Sequence, residues 1–294
     1  MINFIDFFPK PLLVDLCEGE VLPFIGAGFS KNANIPPGRI MPDFSQVAAC
    51  LQEMMPDYRG NSTLDIVSEF DARFGRAQLA EEYYKMLLVG LAKPGPTHRE
   101  FARLPFDIVG TTNFDQLLED GYQEVNRFPQ VVMFEDQLPV HDTVDDPVML
   151  LKIHGDVNFP NRMITTEQDY DTFIARYPLY VTYLASLLIT RTALFIGYSL
   201  DDYDFRSIWD IIGDRLGRLR RQAYAIEVGA DASIAARYER RGVHLINLPG
   251  ERSDFPIILT QTFLELRAYL ATQCPPSGVP DCAALRPRTG AGPG

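Results

Sequence analysis

The sequence predicts an α/β fold built on a doubly wound parallel sheet. Four apolar, β-branched runs end at a small or polar residue, and a helical pattern follows each: "EVLPFIGAGFS", "FDIVGTTNFDQLLEDGY", "VMLLKIHGDV" and "TALFIGYSLDDYDFRSIWDII". Two later runs, "QAYAIEVG" and "GVHLINL", have the composition of further strands. Near-continuous apolar strands alternating with helices are typical of a parallel sheet covered on both faces. The pattern therefore predicts a Rossmann-like sheet with its ligand at the carboxyl ends of the strands.

Two segments with continuous helical patterns interrupt this alternation. We predict one domain over residues 1–272, with a Rossmann core at about 12–38, 105–157 and 191–272. The helical insertions cover about 40–104 and 158–190, and we expect them to form a smaller module above the carboxyl edge of the sheet. Residues 273–294 are rich in proline and glycine, which is typical of a disordered tail.

Composition narrows the class of protein. The 294 residues carry a net charge of −12, which argues against direct nucleic-acid binding through a basic surface. None of the four cysteines forms a C-x-x-C pair, so we expect no zinc or other metal site and reduced thiols. The N-terminus lacks the basic-then-apolar order of a signal peptide. The most apolar stretch is interrupted by Arg191, so we expect no membrane span. These features favour a cytoplasmic protein.

The first predicted strand ends in a glycine-rich turn. Gly26 and Gly28 permit a close approach of a phosphate to the backbone, and a helix beginning near Ser30 would direct its free N–H groups at that anion. The G-x-G-x-x-G fingerprint is incomplete because Lys31 occupies the third glycine position, and no Walker-type loop is present. Taken alone, the turn fits nucleotide binding and a plain strand-to-helix connection equally well.

The next three strand ends also carry polar or glycine residues. Asn113 and Asp115 suit either a helix cap or a ligand site at the carboxyl end of a central strand. His154 is either a structural histidine or a general base near neutral pH. Gly197 permits another tight turn, and Ser199 offers a hydroxyl to a ligand or to the following helix.

The order of these motifs resembles the sirtuin family. Sirtuins carry GAG-x-S, T-x-N-x-D, HG and G-T-S-L in succession, and this chain has "GAGFS", "TNFD", "HG" and "GYSL". The resemblance spans about residues 21–248. It implies NAD as the ligand and cleavage of the bond between nicotinamide and ribose as the chemistry.

The resemblance also implies a role for each motif. Asn113 and Asp115 line the nicotinamide-ribose pocket, with Asn113 positioning a water or a ribose hydroxyl, and His154 acts as the general base. Glu227 lies where sirtuins contact the adenosine ribose. The remaining residues expected to bind NAD lie in the glycine turn, the degenerate "NIPPGR" loop and the strand ends: Gly26, Ala27, Gly28, Ser30, Arg39, Thr112, Gly197 and Ser199.

Two departures from the family pattern narrow the implied function. The cysteine pairs of the sirtuin zinc ribbon are missing, and a helical segment replaces them. The "NIPPGR" loop lacks the aspartate and phenylalanine of the sirtuin loop. The chain therefore resembles the zinc-free branch found in bacterial antiphage defence, which implies an NAD hydrolase that depletes the cofactor of infected cells.

An unregulated NAD hydrolase would kill its host, so the resemblance also implies a controlled assembly. We expect a homo-oligomer, with a HerA-type ATPase or a short Argonaute as a partner by analogy with the family. Two other functions stay open. One is an NAD-dependent protein deacylase or ADP-ribosyltransferase, and the other is a non-catalytic sensor of NAD or ADP-ribose.

Overall fold

The computed structural model describes residues 2–139, 148–198 and 221–274, and its centre is a parallel sheet. The strands are β1 (Val21–Ile25), β2 (Ile108–Thr111), β3 (Gln130–Val132), β4 (Met149–Lys152), β5 (Thr192–Ile196), β6 (Ala223–Val228) and β7 (Val243–Leu248). Their order is β3-β4-β2-β1-β5-β6-β7, and every pairing is parallel. The predicted doubly wound sheet and its six strands are confirmed. The edge strand β3 was missed because three residues give no periodicity.

The helices lie on both faces of the sheet and beyond its carboxyl edge. They are α1 (Lys10–Cys17), α2 (Ala27–Ser30), α3 (Phe44–Glu53), α4 (Thr63–Phe74), α5 (Arg76–Met86), α6 (Pro96–Ala102), α7 (Leu117–Glu124), α8 (Glu167–Arg176), α9 (Pro178–Thr190), α10 (Ala232–Glu239) and α11 (Phe255–Gln273). Side-chain caps begin several of them, including Asp43 for α3 and Asp231 for α10. The predicted tail begins at the end of α11, and from residue 275 onward it lies outside the described residues.

Alternation along the buried strands divides the core between the two faces. Val21 and Ile25 of β1 pack with α1, α6, α7 and α11, whereas Leu22 and Phe24 pack with α8 and α9. Period-two alternation places successive side chains on opposite faces, so each strand contributes to both cores. This double burial explains the continuous apolar runs in the sequence.

The helices α3, α4 and α5 form a separate core beyond the carboxyl ends of β2 and β4. Their apolar faces pack against Phe114 and Leu117, which follow β2, and against Val157 and Met163, which follow β4. This cluster is the smaller helical module expected above the sheet edge. The helices α8 and α9 of the second insertion differ from that expectation, because their apolar side chains pack on the sheet face instead.

Helix length bears on the membrane prediction. Among the described residues, no single helix is long and apolar enough to span a membrane. The helices α8 and α9 pass that test of length and composition only when taken together, and the pair is bent by 83°.

The cysteine prediction needs one correction. A disulfide joins Cys17 at the end of α1 to Cys274 just after α11, with their Cα atoms 5.3 Å apart. Spacing could not reveal this pair because the two residues are 257 positions apart and meet only through packing of α1 and α11 on one sheet face. Cys50 is an exposed free thiol.

Glycines allow the turns after β1 and β5 to touch through their backbones. The Gly28 N–H donates to the Gly197 carbonyl at 2.8 Å. A Cβ on Gly28 would lie 2.7 Å from that carbonyl oxygen, and a Cβ on Gly197, whose φ is +74°, would lie 2.4 Å from the Phe29 nitrogen. We call Gly26, Gly28 and Gly197 the glycine corner. The helix after β1 begins at Ala27 and ends at Ser30, whereas the sequence predicted a helix that begins near Ser30.

A buried lysine ties together the loops that follow β2 and β4. The Lys152 side chain is fully buried, and its Nζ contacts the Asp115 carbonyl at 2.7 Å, the Glu119 carboxylate at 2.8 Å and the Asp156 carboxylate. Burial alone would lower the pKa of Lys152, but the two carboxylates raise it above its usual value. The Val157 N–H also donates to the Phe114 carbonyl, which joins the same two loops.

Replacing Gly197 by alanine tests the glycine corner. We expect Gly197→Ala to lower the free energy of unfolding by about 2–5 kcal/mol, because a left-handed backbone and a clash with the next turn combine. Gly19→Ala is the matched control, since its φ is +70° but no atom lies within 4 Å of a Cβ there. Equal losses in denaturant titrations of the two variants would contradict the close-packing explanation.

Removing the buried lysine tests the ion cluster. We expect Lys152→Met to lower the free energy of unfolding by about 3–5 kcal/mol, because it leaves two carboxylates buried without a cation. Burial raises the pKa of Glu119, and without the Lys152 cation nothing of that strength opposes the rise, so Glu119 takes up a proton on folding and the loss relative to wild type should shrink as pH falls from 8 to 5.

Lys85→Met is the control for the buried cluster. Lys85 is exposed and pairs with the exposed Glu81 and with Glu82, which keeps a hydrogen bond from Gln78, so we expect little change in unfolding free energy when Lys85 is replaced. Denaturant titrations at several pH values check both variants. A Lys152→Met loss as small as that of Lys85→Met would show that the buried cluster is not a major constraint.

Candidate functional site

A large cavity lies where the strand order reverses between β1 and β5. In open α/β sheets, ligands bind at such a switch point, outside the carboxyl ends of the strands. The cavity holds about 590 Å³. Its walls come from the turns after β1 and β5, the end of β6, α10 and the start of α11: Ala27, Gly28, Lys31, Asn32, Asp43, Gly197, Tyr198, Glu227, Val228, Ile234, Arg237, Tyr238, Arg252, Ser253, Phe255 and Pro256.

Charged groups of both signs line this cavity. Lys31 and Asp43 form an ion pair of 2.9 Å near the glycine corner. Arg237 and Arg252 line the part of the wall formed by α10 and the start of α11. The positive groups suit a phosphorylated ligand, because guanidinium and ammonium groups bind phosphate oxygens.

Glu227 is held in place at the β6 side of the cavity. The Tyr238 hydroxyl lies 2.9 Å from Glu227 Oε1 and 3.1 Å from the Tyr198 carbonyl oxygen. Burial raises the pKa of Glu227, and the Tyr238 hydrogen bond opposes that rise. The pKa of Tyr238 is also raised, first by burial and then by the neighbouring carboxylate.

A second, narrower cavity of about 40 Å³ lies between the glycine turn and the helical module. Asn113, Ser30, Thr112 and Asp115 line its polar side, and Tyr83 lies on its module side. Ala27 and Asp43 contribute to both cavities. The small cavity is therefore next to the large one, directly above the carboxyl end of β2.

Three polar side chains at the small cavity form one hydrogen-bonded chain. Asn113 Nδ2 donates to the Gly26 carbonyl at 3.1 Å and to Ser30 Oγ at 2.9 Å. Ser30 Oγ in turn donates to Asp115 Oδ2 at 2.6 Å, while Asp115 Oδ1 accepts the Leu117 N–H at 3.1 Å. The N-cap residue of α7 is Gln116, not the predicted Asn113 or Asp115, and it makes no side-chain cap; the Asp115 carboxylate instead accepts from the first residue of the helix and from Ser30.

The amide oxygen of Asn113 has a different environment. Asn113 is buried, with 7% of its surface exposed, and its Oδ1 has no hydrogen-bond partner among the described residues. Buried polar atoms are nearly always paired in proteins, so this oxygen, on a residue that lines the small cavity, is a candidate contact for a ligand or a water.

The predicted phosphate cradle is divided between the two cavities. Ala27 and Gly28 line the large one, Ser30 lines only the small one, and Gly26 lines neither. The N–H groups of Gly26 and Gly28 donate to the carbonyls of Ile196 and Gly197. The two glycines therefore pack the turns together, and their N–H groups are already engaged.

The other predicted site residues differ in where they lie relative to these two cavities. His154 is 1% exposed, lines neither cavity, and packs edge-on against Tyr170 and Phe173. Arg39 is exposed and lines neither cavity, and Ser199 lies outside the described residues. Thr112 lines the small cavity, with its hydroxyl 3.1 Å from that of Tyr198.

Sequence reasoning missed four residues of the large cavity and the buried cluster beneath the site. Tyr198 follows β5, Arg237 and Tyr238 lie on α10, and Arg252 precedes α11, so only the fold brings these residues together. Lys152 had a readable signal, since a lone lysine in the apolar run "VMLLKIHGD" needs a buried partner.

Comparison with known proteins shows a similarity in the middle of the chain. Residues 107–246 match the SIR2-like domain. An NAD(+) hydrolase ThsA from Bacillus cereus strain MSX-D12 is 30% identical over 129 residues, which are 44% of this chain and 27% of that protein. An NAD(+) hydrolase ThsA from Acinetobacter baumannii strain 532279 is 29% identical over 153 residues, which are 52% of this chain and 31% of that protein.

Two further comparisons are more distant. Defense-associated sirtuin 2 from Bacillus subtilis is 24% identical over 195 residues, covering 65% of this chain and 19% of that protein. A solved structure of a Sir2 mutant with a p53 peptide and NAD has a TM-score of 0.45 and 14% identity, covering 88% of this chain and 98% of that one.

The curated relatives are longer than the aligned region. The chain spans less than a third of the length of each curated relative described above. Within that span, the domain match includes Asn113, Asp115, His154 and Gly197, which are residues of the motifs that first suggested the resemblance. Residues 107–246 are therefore similar to a SIR2-like domain.

Proposed function

We propose that this protein is an NAD glycohydrolase that cleaves NAD to nicotinamide and ADP-ribose. We further propose that it acts in the bacterial cytoplasm as the NAD-depleting effector of an antiphage defence system. Relatives named NAD(+) hydrolase and defense-associated sirtuin support both parts. The observation that carries the proposal is the buried Asn113 amide, which is held rigidly beside a cavity at the switch point of the sheet.

The proposed reaction makes specific demands on the site. Water adds to C1′ of the nicotinamide ribose as the glycosidic bond breaks, and the bonding electron pair leaves with nicotinamide. The leaving group carries a positive charge in NAD and departs neutral, so no acid is needed to protonate it. The protein must instead hold the phosphates, stabilise an oxocarbenium-like sugar and orient the water.

Asn113 suits the role of orienting the water. Its Nδ2 is fixed by Gly26 and Ser30, so the direction of Oδ1 is fixed as well, and Oδ1 has no hydrogen-bond partner among the described residues. An amide oxygen accepts a hydrogen bond from water and carries no net charge, so a nearby carboxylate such as Asp115 does not repel it. Asp115 acts through Ser30 and is a positioning residue in this scheme.

His154 is the proposed base that receives the proton from the water. It follows β4 and lies in the loop that Lys152 ties to the Asn113 loop. General-base assistance is typically worth about 10²–10⁴ in rate. Its position away from both described cavities favours a second candidate function, namely a non-catalytic sensor of NAD or ADP-ribose.

Control of the activity is also part of the proposal. We propose that the chain forms a homo-oligomer and is switched on by a partner, for which a HerA-type ATPase or a short Argonaute remains the family-based candidate. Assays therefore need the protein alone, its oligomeric fractions and its complexes with co-expressed partners.

Replacing Asn113 tests the proposed reaction. We expect Asn113→Ala to lower nicotinamide release from NAD by about 100-fold or more, because the attacking water loses its orienting group. Chromatography of nicotinamide and ADP-ribose measures the rate, and a deacylation assay on an acetyl-lysine peptide measures the alternative chemistry. Asn61→Ala, an exposed asparagine in a surface turn, should keep the wild-type rate.

The same assay decides between the candidate functions. If wild type releases no nicotinamide in any assembly state but binds ADP-ribose, the sensor function replaces the hydrolase. If Asn113→Ala releases nicotinamide as fast as wild type while remaining folded, the proposed role of Asn113 is wrong.

Replacing His154 tests the proposed base. We expect His154→Ala to lower the rate of nicotinamide release by about 10²–10⁴. His244→Ala is the control, because His244 is exposed on β7 and pairs with Glu239, away from both cavities. Circular dichroism must show that both variants are folded. An active, folded His154→Ala protein would remove His154 from the chemistry.

A further inference from the structure

The two ends of the large cavity have different chemistry. The glycine corner and the Lys31–Asp43 pair lie at the carboxyl ends of β1 and β5, whereas Glu227 lies at the end of β6. Adjacent strands lie about 4.8 Å apart, so the end of β6 is about 10 Å from that of β1. A dinucleotide with its phosphates near the corner therefore extends its adenosine ribose toward Glu227.

Glu227 has one carboxylate oxygen fixed and one available. Tyr238, which is almost fully buried, contacts Oε1 at 2.9 Å and thereby sets the orientation of the carboxylate. The other oxygen makes no hydrogen bond with the described residues, and the side chain lines the cavity. A carboxylate in this setting accepts hydrogen bonds from ribose hydroxyls, which is the chemistry that dinucleotide-binding sheets use for NAD.

We propose that Glu227 is a specificity-determining residue that makes the cavity accept NAD and reject NADP. This rests on the proposed binding of a nicotinamide dinucleotide in the large cavity. NADP carries a phosphate on the 2′ oxygen, which removes the hydroxyl proton that Glu227 would accept. It also places up to two negative charges beside a carboxylate that Tyr238 prevents from turning away. Discrimination therefore comes from a lost hydrogen bond and from repulsion of like charges.

The arginines in the same wall suggest the opposite preference, and the titrations below test the two against each other. Arg237 and Arg252 line the cavity with Glu227, and an arginine near the ribose is how some sheets accommodate a 2′-phosphate. Arg252 belongs to a short turn before α11, is exposed, and its charge acts to lower the pKa of Glu227, whereas Glu227 is held on a strand by Tyr238. The proposal assigns Arg252 to the phosphates common to NAD and NADP, which predicts that it contributes equally to the binding of both.

Binding of two stable ligands tests the assignment independently of catalysis. Isothermal titration calorimetry compares ADP-ribose with ADP-ribose 2′-phosphate. We expect wild type to bind ADP-ribose about 30-fold more tightly or better. Glu227→Gln should narrow that ratio by about tenfold or more, mainly through tighter binding of the phosphorylated ligand. Arg252→Ala should weaken both ligands by similar factors.

Glu251→Gln is the matched control, since Glu251 is exposed, lies next to Arg252 and does not line the cavity. It should leave the ratio unchanged. Equal affinities in wild type, tighter binding of the phosphorylated ligand, or an unchanged ratio in Glu227→Gln would overturn the assignment. So would an Arg252→Ala effect confined to the phosphorylated ligand.

Nicotinamide release from NAD and NADP provides the second measurement. Wild type should prefer NAD in kcat/KM, and Glu227→Gln should reduce that preference. If wild type cleaves both substrates equally, the specificity assignment fails while the hydrolase stands. If neither substrate is cleaved, the proposed hydrolase fails, and the ADP-ribose titrations still decide the role of Glu227.

Discussion

The buried ammonium group of Lys152 is the constraint on which the rest of the site depends. It bonds to the backbone after β2 and to carboxylates on α7 and in the loop after β4, so three elements share one charge. A buried charge is costly unless every partner is in place, which makes the arrangement intolerant of partial displacement. The loop that carries Asn113 and the loop that carries His154 are consequently fixed relative to each other.

The glycine corner imposes a second constraint that acts on the opposite side of Asn113. Because the turn after β1 lies against the turn after β5, the Gly26 carbonyl is held where the Asn113 amide reaches it. Backbone contact of this kind leaves no room for side chains, which is why glycine occupies both turns. On one side, Asn113 is thus oriented by the Gly26 carbonyl of the packed turns. On the other side, its loop is held by Lys152, which donates to the Asp115 carbonyl.

The sequence predicted the structure best where the local residue pattern directly reflects burial. Six strands were predictable because strands buried on both faces must be apolar throughout, and their carboxyl ends were predictable because ligands of such sheets bind there. The network from Asn113 to Asp115 was predicted as a set of site residues, although its hydrogen bonds were not. Contacts between distant segments left no local trace, as the Cys17–Cys274 disulfide and the Tyr238–Glu227 pair show.

The glycine turn illustrates how a motif and its physical role differ. The pattern predicted a phosphate cradle, yet the N–H groups of Gly26 and Gly28 already bind neighbouring carbonyls, and Ser30 is engaged with Asn113 and Asp115. Positive charge for a phosphorylated ligand therefore has to come from side chains of the large cavity, such as Arg252, and less from the turn itself. In the proposed reaction, phosphate binding and sugar chemistry would therefore fall to different elements, and the turn would serve mainly to bring those elements together.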